Sequence, residues 1–493
     1  MRNLCYKIVF ILLFAILSIS NVHAQISSNE VDRLVEDAMT KFNVAGVAVG
    51  IVKDGKIIHA KGYGVKSIDT NEKVNEHTNF AIASNSKAFT TTALALLVEE
   101  GKISWQDKVK DHIPEFKMYN AYVTENFNIQ DLLTHRSGLG LGIGDLMFFP
   151  DGADFTINDV LSSFQHFKPQ SAFRTKFDYD NLLYFVAGEV IARVSEMSWE
   201  EFVEKRIMQP LEMDNTFGSI SRMKDKSNLA IPHSTETGEI RTIPSFEETV
   251  NGAAGGILSN VDDICNWMLV HLNKGKYGEN LEKQLFAETS QHEMWTIHTS
   301  LPVNRNPRYN SHFRGYGLGW GLTDIKGNMS VSHTGGLPGM LSKTVLIPDL
   351  GLGVVVLTNT SNGGAGVFRA VSQSIVDSYL GLNNFNWTDY YFERYIKRKN
   401  NADQVSSKVW ETVESANSQH LNFNNYIGVY EDSWFGKIEV FMKGDKLWFK
   451  SYRSPKLNGP MSYYKANTFA IKWEYQDMNA DAFAMFNLDE EGK

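Results

Sequence analysis

Cysteine is almost missing from this chain: Cys5 and Cys265 are the only two in 493 residues. If residues 1–24 are removed on export, as read below, Cys265 is left alone. No intramolecular disulfide can then form, and stability has to come from a packed core. Clustered lysine or arginine does not stand out either. The formal net charge is −9, and loss of Arg2 and Lys7 with the leader takes it to −11. That balance argues against nucleic acid or an anionic membrane as partner. A second long apolar run is also lacking, so the chain is expected to have no transmembrane anchor once the leader is gone.

Several catalytic signatures are absent as well. No Gly-x-Ser-x-Gly elbow occurs, which sets aside the α/β-hydrolase type of esterase. His292-Glu293 is followed by His298, six positions after the first histidine where a zinc protease helix needs four. Gly315-Tyr316-Gly317-Leu318-Gly319 has too few residues between its glycines for a dinucleotide loop. We therefore expect no metal and no organic cofactor. No internal repeat or low-complexity tract is visible.

What the chain does have begins with a leader. Arg2 and Lys7 precede an apolar run from Ile8 to Ile19, and Val22-His23-Ala24 stands before Gln25. This is the three-part layout of a cleavable secretory signal, which points to a periplasmic or secreted protein. No cysteine follows that run where a lipid would attach, and Cys5, ahead of it, lies too early.

After the leader, Gly46–Lys53 and Lys56–Gly64 read as two strands joined by Asp54-Gly55, a hairpin turn, so the mature protein is predicted to open with paired strands. Phe89, Ala93, Leu96 and Leu97 recur at helical spacing from Ser84 to Glu100, with Gly101 as a stop. Residues 110–300 mix helical stretches, such as Tyr184–Val194 and Ser198–Ile207, with Gly- and Asn-rich loops. Met329–Ser332, Lys343–Ile347 and Gly353–Thr358 are short strands that would complete a sheet begun near the N-terminus. Strands at both ends with helices between imply one α/β (α+β) unit closed by long-range pairing. Four segments follow: a signal at 1–24, a main unit at 25–383, a helical connector at 384–418 and a small all-β domain at 419–493. In the last, Tyr426–Tyr430, Lys437–Met442 and Lys446–Lys450 alternate with period two. Its Trp434, Trp448 and Trp473 would serve either core packing or a carbohydrate- or peptide-binding face. Asp489-Glu490-Glu491-Gly492-Lys493 reads as a turn with no strand after it, as if the chain ended early.

Three short motifs carry chemistry. Ser84-Asn85-Ser86-Lys87 puts a hydroxyl and an amine one helical turn apart, so that the amine can take the hydroxyl proton. Ser221–Lys224 and Ser462–Lys465 match the same pattern. Only Ser84 opens an apolar helix, whose positive end stabilises developing negative charge by about 0.3–1 kcal/mol. Tyr179-Asp180-Asn181 sits in a turn before a helix starting near Leu182, and taken alone it also fits a packed tyrosine. His333-Thr334-Gly335 ends a predicted strand, where glycine would let a substrate backbone approach closely; alone it also fits an ordinary surface or core histidine.

Together with Asp131-Leu132-Leu133-Thr134-His135-Arg136-Ser137-Gly138-Leu139, with Gly255-Gly256-Ile257-Leu258-Ser259 followed by Asp262-Asp263, and with Tyr316-Gly317-Leu318-Gly319-Trp320, these motifs give a clear likeness. Over roughly residues 30 to 380 the sequence resembles the class C β-lactamase family of penicillin-recognising serine hydrolases, which includes D-alanyl-D-alanine carboxypeptidases, D-aminopeptidases and esterases. The resemblance implies a β-lactamase-like antiparallel sheet flanked by helices, with a helical subdomain. It implies Ser84 as acylated nucleophile, with Lys87 and Tyr179 sharing its proton, both with pKa values lowered by a crowded positive site. Which of the two is the base stays open. Asn181 would hold a substrate amide, and His333, Thr334 and Gly335 would form the substrate strand. The backbone N–H groups of Ser84 and Gly336 would make the oxyanion hole. His333 departs from the lysine that β-lactamases of this family carry. A histidine with an ordinary pKa is mostly neutral at pH 7 and anchors a carboxylate poorly. The expected substrate is therefore a D-amino-acid peptide, or a small ester or amide, ahead of a β-lactam. A penicillin-reactive sensor with little turnover and a purely structural envelope protein are the rival readings.

Overall fold

The described chain opens on a helix, α1 (Ser28–Phe42), and not on the paired strands that the sequence predicts. Ser27 and Glu30 form a capping box at its start, Val31, Val35, Ala38 and Phe42 bury one face, and Asn43 closes it in the left-handed conformation at φ 54°. The computed structural model describes residues 25–487, apart from 237, 247–249, 251, 304, 383, 417, 419, 420 and 478–480, with backbone alone at 403. The leader read at residues 1–24, with Cys5, and the terminal residues 488–493 lie outside the described residues. Among the described residues no helix is long and apolar enough to cross a membrane.

The strands β1 (Gly46–Lys53) and β2 (Lys56–Gly64) pair as predicted, with Asp54 and Gly55 both at positive φ in the turn. Helix α2 (Ser86–Glu99) carries the Ser-x-x-Lys motif, with Ser84 in a 3-10 turn (Ala83–Asn85) just ahead of it. Helices α3 (Leu182–Ser195) and α4 (Val261–Leu272) follow, and then the rest of the main sheet: β3 (Thr299–Ser300), β4 (Arg314–Tyr316), β5 (Gly321–Ile325), β6 (Asn328–Leu337), β7 (Met340–Ile347) and β8 (Leu352–Thr358). The antiparallel sheet runs β2-β1-β8-β7-β6-β5-β4-β3. β1 and β8 are buried on both faces, and their alternation divides the core. Val47, Val49, Ile51, Val354 and Val356 pack with α1 and the next helix, α5 (Gly363–Tyr379). Ala48, Val52, Val355 and Leu357 face α2 and α4. Gly50 lets α4 lie close, since a Cβ there would stand 2.7 Å from Cys265 Sγ. The Cys265 thiol is fully buried, and burial pushes its pKa up, so it is inert.

A 29-residue helix, α6 (Trp387–Ser415), then runs along α5. Its start is pinned by the buried carboxylate of Asp377, which accepts from Trp387 Nε1 (2.7 Å), Tyr309 Oη (2.6 Å) and Arg308 Nε (2.7 Å). It carries Arg394, Lys397, Arg398 and Lys399, so the expectation of no clustered lysine or arginine is wrong on this segment. An overall negative charge hid it. The C-terminal strands β9 (Gly428–Asp432), β10 (Gly436–Lys443), β11 (Lys446–Ser451), β12 (Asn458–Lys465), β13 (Thr468–Ile471) and β14 (Ala482–Met485) form a six-stranded meander.

This second sheet is fastened to the helical region. Arg453 donates to Asp154 Oδ1 (2.7 Å) and to both oxygens of Asp159 (2.8 and 2.9 Å), and it lies 4.0 Å over the Phe155 ring. Lys456 pairs with Asp151 at 2.7 Å. Trp434 packs edge-on against Phe167 and Phe435 against Phe155. Trp473 is buried, while Trp448 lies beneath the Lys443 ammonium at 3.6 Å.

Candidate active site

β6 explains where the site lies. Its first five residues pair with β5, ending at Ser332↔Gly321, whereas β7 pairs with it as far as Leu337. From His333 to Leu337 the strand therefore has a neighbour on one side only. The strand was expected to end at His333; it continues because the β7 ladder carries it through the two glycines. Gly335 has a packing reason to be glycine. A Cβ there would fall 2.1 Å from the carbonyl oxygen of Ile82 and 3.0 Å from Ala83 Cβ, so it is the turn bearing Ser84 that lies against the strand. Ala83, just before Ser84, takes φ 49°, a strained backbone angle for a residue with a Cβ.

Ser84 is half-exposed, while Lys87 one turn on is completely buried. Lys87 Nζ stands 3.0 Å from Ser84 Oγ, 2.9 Å from Asn181 Oδ1 and 2.9 Å from the carbonyl oxygen of Ala254. Burial pulls its pKa down to about 7, against the opposing pull of Asp145 and Asp180. The rings of Tyr179 and Tyr184 flank the amine at 4.9 and 5.1 Å. The Tyr179 side chain adjoins Ser84. Its pKa, expected to be lowered, is instead pushed up, because burial outweighs the Ser84 contact. The two groups thus diverge: the amine is poised near neutrality and the phenol stays protonated.

His333 is buried and neutral, pulled down to about 3 by burial and then by the Lys87 charge. Nδ1 donates to the carbonyl of Thr334 at 2.7 Å, which leaves Nε2 to accept from the Tyr316 hydroxyl at 2.9 Å. Both ring nitrogens are occupied, and the third motif offers no positive charge. Thr334 and Gly336 are exposed on the free stretch of the strand.

Asn181 bridges Lys87 to a residue that the sequence reading missed. Its Nδ2 donates to Asp145 at 3.2 Å, which also fixes its oxygen toward the amine. Asp145 lies in a short 3-10 turn (Asp145–Met147), in a loop whose course no local pattern reveals. The Asp131–Leu139 motif also acquires a role. The fully buried Asp131 accepts from Arg136 Nε (2.9 Å) and Arg174 Nη2 (2.6 Å). His135 takes φ 54°, and its Nδ1 accepts the N–H of Asp180 at 3.1 Å while its ring packs 4.2 Å from that of Tyr179. This network holds the Tyr179–Asn181 turn against the helix bearing Lys87. The Ser221–Lys224 and Ser462–Lys465 matches lie elsewhere, in a loop and in β12. Among the described residues no group of three or more His, Cys, Asp or Glu side chains is placed to hold a metal.

The Beta-lactamase family model matches residues 31–373, and a domain of unknown function (DUF3471) matches residues 414–493. The chain is similar to the unguisins hydrolase ungD' of Aspergillus campestris, at 25% identity over 415 residues, covering 80% of this chain and 74% of that protein. It is similar to protein flp of Staphylococcus aureus, at 27% identity over 340 residues, covering 68% of this chain and 64% of flp, less than two thirds of its length. Among solved structures, the octameric penicillin-binding protein homologue from Pyrococcus abyssi superposes with a TM-score of 0.63 at 20% identity, over 94% of this chain and 97% of that one. A penicillin binding protein from Bacillus halodurans gives 0.57 at 22% identity, over 69% and 99%. At these identities the two structures establish the fold alone.

Proposed function

The chain belongs to the Beta-lactamase family, whose members are serine hydrolases, and from that premise we propose that it is an exported enzyme cleaving an amide or ester through an acyl-enzyme on Ser84. The observation that carries this reading is the set of partners around Lys87 Nζ. Two of the three, the Asn181 and Ala254 oxygens, can only accept hydrogen bonds. A neutral amine spends its two N–H bonds on them, and its lone pair is left facing the Ser84 hydroxyl at 3.0 Å.

In the proposed step Ser84 Oγ bonds to the substrate carbonyl carbon as its proton passes to Lys87. The negative charge on the carbonyl oxygen meets the N–H groups of Ser84 and Gly336. Collapse breaks the bond to the leaving amine or alcohol, which takes the proton back through Lys87 or the Tyr179 hydroxyl. Water then repeats the sequence on the acyl-serine with Lys87 again as base. Asn181 keeps one N–H beyond its bond to Asp145 for a substrate amide, and Thr334 offers its hydroxyl from the free strand. A neutral, fully bonded His333 favours a D-amino-acid peptide or a small ester over a β-lactam, whose carboxylate finds no cation on that motif.

Following a fluorescent penicillin and p-nitrophenyl esters over time tests the reading. Ester turnover with transient label is expected; label that persists without product would replace the enzyme by a penicillin-reactive sensor. Because the base must be neutral, kcat/KM should rise as pH passes about 7 and level off above it. The Asp145 carboxylate favours the ammonium form, so Asp145→Asn should move this limb to lower pH. An unmoved limb in that variant, measured on an activated ester, would remove Lys87 from the role of base.

A further inference from the structure

The cleft over Asp145, Asn181 and Gly336, about 1340 Å³, runs on between β7, α5 and α6. There its wall carries Lys343, Arg369, Arg394, Arg398 and Lys399. Lys343 stands directly across the ladder from Thr334, so the two side chains share one face of the sheet. Arg394 and Arg398 are one turn apart on α6, and Arg369 reaches in from α5. Among the described residues none of the five makes an ion pair with a carboxylate.

The acids that line the same cleft are already engaged: Asp145 by Asn181, Asp477 by Arg241 and Glu236 by Asn362. Lys343 and Arg369 are half-buried. Burial, and after it the Arg369 charge, holds the Lys343 ammonium down to about 8, and Arg398 and Arg394 act in the same direction on Arg369. Partly desolvated cations that repel one another are costly unless an anion joins them. Guanidinium forks converging from two helices match the geometry of a phosphate or carboxylate group.

We infer that this end of the cleft is a binding site for an oxyanion of two or more negative charges, a phosphate group or a polycarboxylate, held by Arg369, Arg394 and Arg398 with Lys343 at its floor. The site goes beyond the role of Ser84 and does not depend on it. Its occupant is either a free anion or the acidic end of the substrate, because the same cleft leads to Asn181 and Gly336.

Calorimetric titration of the mature chain with inorganic phosphate and with citrate tests it. Wild type and Ser84→Ala should bind alike, with affinity falling as sodium chloride is raised. Arg394→Gln/Arg398→Gln should weaken binding about tenfold or more. Both side chains are exposed, so folding is not at stake, and Arg369→Gln supplies a second variant. Binding of neither anion by wild type, or equal binding by the double variant, would overturn the site. A second arm compares p-nitrophenyl acetate with mono-p-nitrophenyl succinate. A fall in the succinate-to-acetate ratio of kcat/KM in the double variant assigns the site to the substrate's acidic end. An unchanged ratio with lost phosphate binding assigns it to a free anion. Failure of both esters to react would sink the Ser84 reading and leave the anion titration standing.

Discussion

Ser84→Ala should reduce kcat/KM for an activated ester by about 10⁴–10⁶-fold and abolish covalent labelling by a fluorescent penicillin. The size of the effect follows from the surroundings of the hydroxyl. Lys87 Nζ stands 3.0 Å from Ser84 Oγ, and the Tyr179 side chain adjoins it. The neighbouring Ser86 cannot stand in, because it is fully buried and its Oγ accepts the Ile257 N–H at 3.1 Å. Among the described residues no other hydroxyl hydrogen-bonds the amine. The variant should fold normally, since Ser84 is half-exposed and Lys87 keeps its bonds to the Asn181 and Ala254 oxygens. Turnover within tenfold of wild type would discard the nucleophile.

A comparable loss, of stability this time, is expected from Asp131→Ala. The carboxylate is fully buried, and two guanidinium groups and the Asn128 N–H (3.1 Å) converge on it. Removing one partner of a buried charge network typically costs about 3–5 kcal/mol, because the remaining charges keep their desolvation penalty. At roughly 2–4 °C per kcal/mol for a large domain, the thermal midpoint should fall by roughly 10 °C. Activity should fall with it even below the transition. Arg136 and Arg174 also join their two loops through the backbone, Arg174 N–H to Arg136 O at 2.8 Å, and the Asp178 N–H reaches His135 O at 2.9 Å beside Tyr179. A midpoint within about 2 °C of wild type by calorimetry would mean that the network is dispensable.

How far the site could be read in advance depended on how local its signals were. Ser84 and Lys87 sit on one apolar helix, and Tyr179 and Asn181 in one turn, so spacing and context placed them. The hairpin at Asp54-Gly55 needs only positive φ at two residues. Helix α1 is legible in its capping box and its Val31, Val35, Ala38 and Phe42 stripe, but it is a short amphipathic segment between two stronger signals, the apolar run of residues 8–19 and the first hairpin. The strand through His333 extended further than expected because tertiary packing of the Ala83 turn suits the glycines that locally read as a stop. β12 to β14 went unread for a related reason: they are short, and their alternation is broken by Gly459, Pro460 and the bulge between Tyr463 and Lys465. Arg394 and Arg398 lie in a basic run that is legible locally although its place along the cleft is not, whereas Asp145, Lys343 and Arg369 had no local signature at all. Each is defined by partners far away in sequence, and the pKa of Tyr179 likewise depended on burial that composition does not reveal.

The fastening of the second sheet has a further consequence for how the molecule assembles. Arg453 reaches residues 299 and 294 positions earlier in the chain. The Asp154–Asp159 stretch that it clasps continues the loop bearing Asp145, Phe148 and Phe149, which form the rim of the cleft. Closing so long a loop carries an entropy cost that only accumulated contacts offset. The helix with Ser84 and Lys87 is held by hydrogen bonds between near neighbours in sequence, whereas the rim is held by contacts of very large sequence separation. The Ser84–Lys87 spacing is set within one helical turn, and the mouth of the cleft is set by residues about 300 positions apart.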